Sequence, residues 1–252
     1  MFLLRIPRFI FGIIVLLLFI CTMPVYFIIY FCLFQFVNKE KAPHAAHKVT
    51  RAWAHTVFII TVIRCKVSGR EKIDPKKIYV FVGNHQSQLD IPVYAVAAKN
   101  TIRFLSKEEL TKIPVFGYLL RTLYIAVKRA DKNDRSKSIQ QMKKSLDEGI
   151  SVFLCPEGTR NRTSAPLLDF KDGAFRLAIE AQVPIAALTV FDSKKRNSPQ
   201  SQLELIPGVI HCVWDEPIET KGMTIDDVPL LKQKVYDIML KNLNTQRITS
   251  LG

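Results

Sequence analysis

Residues Val80–Asp90 read VFVGNHQSQLD and run on into IPVYAVAA, Ile91–Ala98. A run of β-branched and aromatic residues ends abruptly at Gly83, a polar cluster follows, and an apolar stretch then begins. This pattern predicts a buried strand, a tight turn and a helix. His85 falls in the turn and Asp90 just inside the helix. Strand-to-helix turns can expose reactive side chains on rigid supports, which makes the pair a candidate site.

Working outward, the same alternation repeats along the chain. Upstream, Ala42–Ile63 reads as a helix and Arg64–Ile73 as a strand and turn. Downstream, strands are expected at Thr101–Ser106, Tyr124–Lys128, Ser151–Cys155 and Val183–Phe191. Between them lie helical patterns at Lys107–Leu123 (interrupted by Pro114), Asp134–Gly149 and Asp172–Gln182. The tail adds LELIPG, VIHCVW and a last helix from about Asp226 to Asn244. Strand and helix alternating at this spacing predict an α/β domain, a largely parallel sheet flanked by helices. The expected division is an N-terminal membrane-embedded helical segment over residues 1–38, a helical connector and first strand over 39–70, and the main domain over 71–252.

The N-terminal segment is set apart by its lack of charge. Phe9–Asn38 contains no charged residue, with Arg5 and Arg8 before it and Lys39, Lys41 and Lys48 after it. One straight helix of that length would run ~45 Å, beyond the ~30 Å hydrocarbon core of a bilayer. Pro24 lies near its middle, and each half alone would reach only ~22 Å, too short to span. Positive charge at both ends favours a helical hairpin dipping into one leaflet over a kinked single span. A cleaved signal peptide fits less well, because the apolar run is too long and lacks a small-residue cleavage site.

Lys and Arg outnumber Asp and Glu by 36 to 22, a net charge of +14. Such charge suits nucleic acid or an anionic membrane, and no helix-turn-helix, zinc-finger or RNA-recognition signature supports the first. The cytoplasmic lipid surface is the expected partner, and nucleic acid is not. The five cysteines are odd in number, scattered and never arranged as C-x-x-C, which suits a reducing compartment.

His85 and Asp90 carry two readings. Ser87 followed three residues later by Asp90 fits a capping box, a purely structural role. Alternatively, a carboxylate in the first helical turn reaches back to a histidine in the preceding turn, orients its imidazole and fixes its tautomer. On one continuous helix, positions five apart would diverge by ~140° and could not meet. The chain has no G-x-S-x-G elbow, and Cys155 has no histidine near it in sequence. His85 therefore fits a base acting on a substrate hydroxyl better than one acting on a protein nucleophile. A second cluster, Phe153–Arg162, reads FLCPEGTRNR. It places Glu157, Gly158, Thr159 and Arg160 at a strand end, where open parallel sheets bind ligands; a plain surface turn is the alternative. Arg160 offers a bidentate fork for phosphate, and Lys107 and Arg129, also at expected strand ends, could converge on it. His44 and His47, three apart, could pair on a metal, but with no third ligand evident they read as exposed polar groups of a helix, and no metal site is expected.

NHQSQLD, SKEELTKIPVFG…VKR, CPEGTR and VPIAAL, in this order and spacing, resemble the four motifs of the glycerolipid acyltransferases, in particular the bacterial 1-acyl-sn-glycerol-3-phosphate acyltransferases. The likeness covers roughly Glu71–Val190, and the apolar N-terminus agrees with that family's membrane anchor. The resemblance implies that His85 is the general base and Asp90 its partner. It implies that Arg160 and Lys107 take the phosphate of the acceptor with Arg129 in support, while Glu157, Gly158 and Thr159 belong to the acceptor-binding loop. The implied reaction moves a fatty acyl chain from acyl-CoA or an acyl-carrier-protein thioester to lysophosphatidic acid, giving phosphatidic acid, with no cofactor. The implied location is the cytoplasmic face of the inner (plasma) membrane, among membrane lipids. Three positions depart from the pattern: Cys155 where phenylalanine is usual, Lys128 where an acid is common, and Ala187 in place of a second proline. An acyltransferase for another lysophospholipid, or a non-catalytic membrane lipid-binding module, are the alternative functions.

Overall fold

A computed structural model describes residues 5–112, 117, 123–127, 132–201 and 203–249. Its centre is one sheet with strands β1 (Ile63–Ser68), β2 (Val80–Gly83), β3 (Ile102–Lys107), β4 (Ile125–Val127), β5 (Ser151–Leu154), β6 (Ile185–Phe191) and β7 (Gly208–Trp214). They lie in the order β1-β7-β6-β2-β5-β3-β4. From β6 to β4 every neighbouring pair is parallel; β7 runs antiparallel to β6, and β1 runs parallel to β7. The sheet is thus largely parallel, with a reversed pair at one edge.

Position in the sheet explains the local sequences. The central strands VFVG and SVFL are buried along their whole length, as expected where both faces are covered. At the edge, β1 alternates instead, Ile63, Cys65 and Val67 inward with Arg64 and Lys66 in solvent, and charge there blunts further strand pairing. Successive side chains of β2 point to opposite faces. Phe81 joins Phe153, Phe104 and Trp214 under helices α2 (Ala42–Ile60) and α3 (Asp90–Ala97). Val80 and Val82 join the other layer, beneath α4 (Lys132–Asp147), α5 (Gly173–Ala181) and α7 (Val228–Thr249). A four-residue helix, α6 (Ser193–Arg196), lies on the connection from β6 to β7. The LELIPG stretch of the tail forms only a single bridge, between Leu205 and Asn197. Of the helix expected over Lys107–Leu123, a 3-10 turn at Glu108–Lys112 is seen, and most of the remainder lies outside the described residues.

The N-terminal segment differs from the favoured hairpin. α1 (Arg5–Phe36) is one helix of 32 residues with Pro24 inside it, and its antiparallel partner is α2. Contacts with α2 hold it on both sides of the proline: Phe19 meets Trp53 edge-on at 5.9 Å, and the hydroxyls of Tyr26 and Tyr30 bond Thr56 and Thr50 at 2.8 and 2.7 Å. Breaking the helix at Pro24 would also strand backbone groups in an apolar stretch, a larger cost than the one hydrogen bond proline removes. α1 is long and apolar enough to cross a membrane, with a mean hydropathy of 2.7 over its most apolar window and only 11% of that window buried. Its outward face, from Ile6 through Leu17 and Ile28 to Phe36, is exposed and apolar. That face points to membrane association.

Candidate functional site

The site forms where β2, β5 and β6 end, along the C-terminal edge of the parallel strands. β2 delivers Gly83 against an aromatic wall: a Cβ there would sit 2.9 Å from Phe153 Cζ and 3.0 Å from Tyr94 Cε1. Asn84, fully buried, ties the chain sideways to β6, donating to the Val190 carbonyl at 2.9 Å and accepting from its N–H at 2.7 Å. The Tyr94 hydroxyl donates to the Asn84 carbonyl at 2.5 Å. The peptide that leads into His85 is thereby held by strand and helix together.

His85 is fixed at three points. Its N–H donates to Glu157 Oε1 at 2.8 Å, its carbonyl accepts from the Asn161 N–H at 2.7 Å, and its ring Nδ1 meets Asp90 Oδ2 at 2.8 Å. Asp90 is completely buried, and the same Oδ2 accepts the N–H groups of Gln86 at 2.6 Å and Ser87 at 2.7 Å. The carboxylate therefore shapes the turn and holds the imidazole at once. The capping-box alternative is met only in part: Ser87 Oγ donates to Asn197 Oδ1 at 3.3 Å and accepts from Leu89 N–H at 3.2 Å, rather than capping Asp90. With Nδ1–H given to the carboxylate, the lone pair of the ring lies on Nε2. The His85 side chain is 15% exposed, which leaves the ring open to a substrate.

The second cluster wraps around the first. Glu157, 2% exposed, accepts the His85 N–H with one oxygen and the Leu168 N–H, at 2.9 Å, with the other. Burial pushes its carboxyl above the ordinary value, against the pull of those two N–H donors and the nearby His85. Gly158 takes φ +73°, the left-handed region that favours glycine, and its N–H closes a turn onto the Cys155 carbonyl at 3.0 Å. Thr159 is exposed and Arg160 half-buried. Asn161 braces the loop beyond, its side chain bonding Ala165, Thr163 N–H and Thr163 Oγ1 at 2.7 to 2.9 Å. Lys107 closes β3 on the same sheet edge, beside Val127 of β4. The Lys107 side chain and all of Arg129 lie outside the described residues. Asn84 and Asn161 were not anticipated, although an asparagine at a strand exit is a turn signal in its own right.

Among the described residues no group of three metal-ligating side chains occurs. His44 is exposed, with Nδ1 2.7 Å from Thr101 Oγ1, but His47 is 5% exposed, so the expectation of two exposed polar groups fails for His47. It turns inward because α2 lays that side against α3.

This arrangement can take a proton from a hydroxyl placed at Nε2 and stabilise the imidazolium that results. The family model described as Acyltransferase matches residues 64–190, which span the whole constellation. The chain belongs to the acyltransferase family. It is 33% identical over 205 residues to 1-acyl-sn-glycerol-3-phosphate acyltransferase alpha of Homo sapiens, covering 77% of this chain and 68% of that one. A 1-acyl-sn-glycerol-3-phosphate acyltransferase of Haemophilus influenzae is 31% identical over 185 residues, covering 71% and 74%. In structure, the acyltransferase fold matches the crystal structure of the 1-acyl-sn-glycerophosphate (LPA) acyltransferase PlsC from Thermotoga maritima with a TM-score of 0.79 at 24% identity, over 95% of this chain and 98% of that one.

Proposed function

We propose that this acyltransferase moves a fatty acyl chain from an acyl-CoA or acyl-carrier-protein thioester to the sn-2 hydroxyl of 1-acyl-sn-glycerol 3-phosphate, giving phosphatidic acid. The observation that carries the reading is the 2.8 Å pairing of His85 Nδ1 with the buried Asp90 carboxylate in a chain of this family. Nε2 removes the hydroxyl proton as the oxygen attacks the thioester carbonyl. The tetrahedral intermediate then expels the thiolate, which takes the proton back from the imidazolium. The thioester arrives activated, so a base and a held acceptor suffice; general-base help of this kind is worth ~10²- to 10⁴-fold. Arg160, Lys107 and Arg129 are assigned to the acceptor phosphate, and Glu157 to holding the His85 peptide. α1, paired from Phe19 onward with α2, serves as an in-plane anchor that keeps the site at head-group depth on the cytoplasmic face. The basic excess and the odd, scattered cysteines support that side.

The test is acyl transfer by detergent-solubilised protein from labelled lysophosphatidic acid and a long-chain acyl-CoA, beside His85→Ala. The expected result is phosphatidic acid from the wild type and at least ~10²-fold less from a folded variant. Equal product from both would remove His85 from the mechanism. Product only with a different lysophospholipid in a panel would replace the acceptor.

A further inference from the structure

α1 carries a single glycine, Gly12, in an apolar helix where glycine weakens the backbone relative to alanine. Its place follows from what it meets. Gly12 is buried between Phe11 and Val15, which pack into the layer under α2 and α3. A Cβ on Gly12 would overlap the Leu203 carbonyl oxygen and stand 2.7 Å from the carbonyl carbon. The helix backbone therefore rests directly on the backbone of the connection from β6 to β7, a closeness that only glycine allows.

That connection reaches the site on its other side. Beyond α6, Asn197 and Leu205 form a bridge, and the Ile206 N–H donates to the Arg196 carbonyl at 2.8 Å, which closes the neck of a loop over 197–205. Leu205 is buried in the same core layer as Val15. Asn197 is 2% exposed, and its Oδ1 accepts the Ser87 hydroxyl at 3.3 Å. Ser87 in turn gives its N–H to Asp90 Oδ2, the oxygen that holds His85 Nδ1. Gln200 Nε2 donates to the Arg162 carbonyl at 2.9 Å, and Lys194 Nζ to the Thr163 carbonyl. Asn161, next along that chain, donates its N–H to the His85 carbonyl at 2.7 Å. The connection thus lies between α1 and both segments that fix His85.

We propose that Gly12 and Asn197 are positioning residues. Gly12 seats α1 on the Leu203 carbonyl, and the loop carries that seating through Asn197 to the turn that holds His85 against Asp90. A side chain on Gly12 lifts the helix off the loop, lets the loop shift and loosens the Ser87 turn. Misplacing a reacting group by ~1 Å can cost ~10²-fold in rate, so acyl transfer requires α1 to be docked as well as membrane-bound. That kinetic consequence rests on the reaction proposed above; the mechanical link does not.

Hydrogen–deuterium exchange over 85–90, measured on the full chain in detergent beside acyl transfer, tests the link. Gly12→Val should speed exchange in that turn at least about fivefold while β5 keeps its protection, and should lower kcat about tenfold. Asn197→Ala should do the same, and Asn197→Ser, which keeps an accepting oxygen, should come within about threefold of the wild type. The double variant Gly12→Val with Asn197→Ala should lose about tenfold, not the ~10²-fold expected of independent sites. Leu17→Lys, on the exposed face of the same helix, should leave exchange in the turn unchanged. Val15→Ala loosens the same contact more mildly, by about two- to threefold, and serves where Gly12→Val does not fold. Wild-type exchange over 85–90 in folded Gly12→Val, or in Val15→Ala in its place, would overturn the proposal, as would losses that multiply in the double variant. Absence of phosphatidic acid from the wild type would instead remove the reaction, and exchange would still decide the link.

Discussion

Asp90→Asn separates the two jobs that one carboxylate performs. Oδ2 serves three donors, His85 Nδ1 and the N–H groups of Gln86 and Ser87. An amide oxygen in the same place still accepts all three, so the turn survives. The new amide N–H₂ falls where Oδ1 now sits, a buried position with no hydrogen-bond partner among the described residues. Leaving it unsatisfied costs about 1–3 kcal/mol, within the stability of a typical domain. What disappears is the negative charge. With Nδ1 2.8 Å from the carboxylate oxygen, the charge centres lie ~4 Å apart, and at an effective dielectric of ~20 that pairing is worth about 4 kcal/mol to a full imidazolium. Only part of that charge has formed at the transition state, so kcat should fall by roughly 10²- to 10³-fold. The KM for lysophosphatidic acid should stay within about threefold, because Asp90 is completely buried and out of an acceptor's reach. The assay is steady-state acyl transfer in detergent, with circular dichroism to confirm the fold. A folded Asp90→Asn protein within about tenfold of wild-type kcat would refute the role given to the charge. A raised KM at unchanged kcat would move Asp90 to substrate binding.

Gly83→Ala should destabilise the protein by about 1–3 kcal/mol and lower kcat, since its Cβ would press Phe153 and Tyr94 and shift the peptide that carries His85; unchanged activity and denaturation midpoint would contradict that wall. Glu157 titrates with a definite sign. Its folded value is raised above the ordinary 4.5, so its contribution is complete below 4.5 and is lost as pH rises through the folded value. The stability of the wild type relative to Glu157→Gln should therefore decline across that window and then level off; a relative stability that climbs with pH would reject burial as the dominant cause. On α1, Leu17→Lys and Ile28→Lys place charge on the exposed apolar face and should weaken partitioning into phosphatidylcholine vesicles, with acyl transfer from detergent little changed. Undiminished vesicle binding by the double variant would show that α1 is not the anchor.

Much of this architecture was legible from periodicity alone, and the exceptions share a cause. VFVG and SVFL read as buried strands because a central parallel strand is apolar throughout. The reversed direction of β7 left no such mark. Its sequence GVIHCVW is that of a strand either way, and direction follows from how the connection through α6 returns, a long-range matter. Pro24 misled for a related reason. The rule that proline breaks a helix is local, whereas the decision here rests on Tyr26, Tyr30 and Phe19 packed against α2. The burial of His47 is likewise not legible locally, because nothing in its own sequence shows which side of α2 meets α3.

The site follows the same division. The His85–Asp90 spacing was readable because the two are five residues apart and a turn brings them together. Glu157 is 72 residues from His85, yet it grips the His85 backbone at 2.8 Å. Only the adjacency of β2 and β5 in the sheet joins them. From sequence, Glu157 was an acid in a loop suited to binding the acceptor; in the fold its two oxygens are both spent on backbone N–H groups, of His85 and Leu168. An acid so engaged and only 2% exposed offers a substrate almost no surface, and its charge would repel a phosphate. Its negative charge instead favours an imidazolium on the residue it holds. That engagement supports the proposal that the acceptor's phosphate is met further along the loop, at Arg160, with the acid acting through His85 rather than on the lipid.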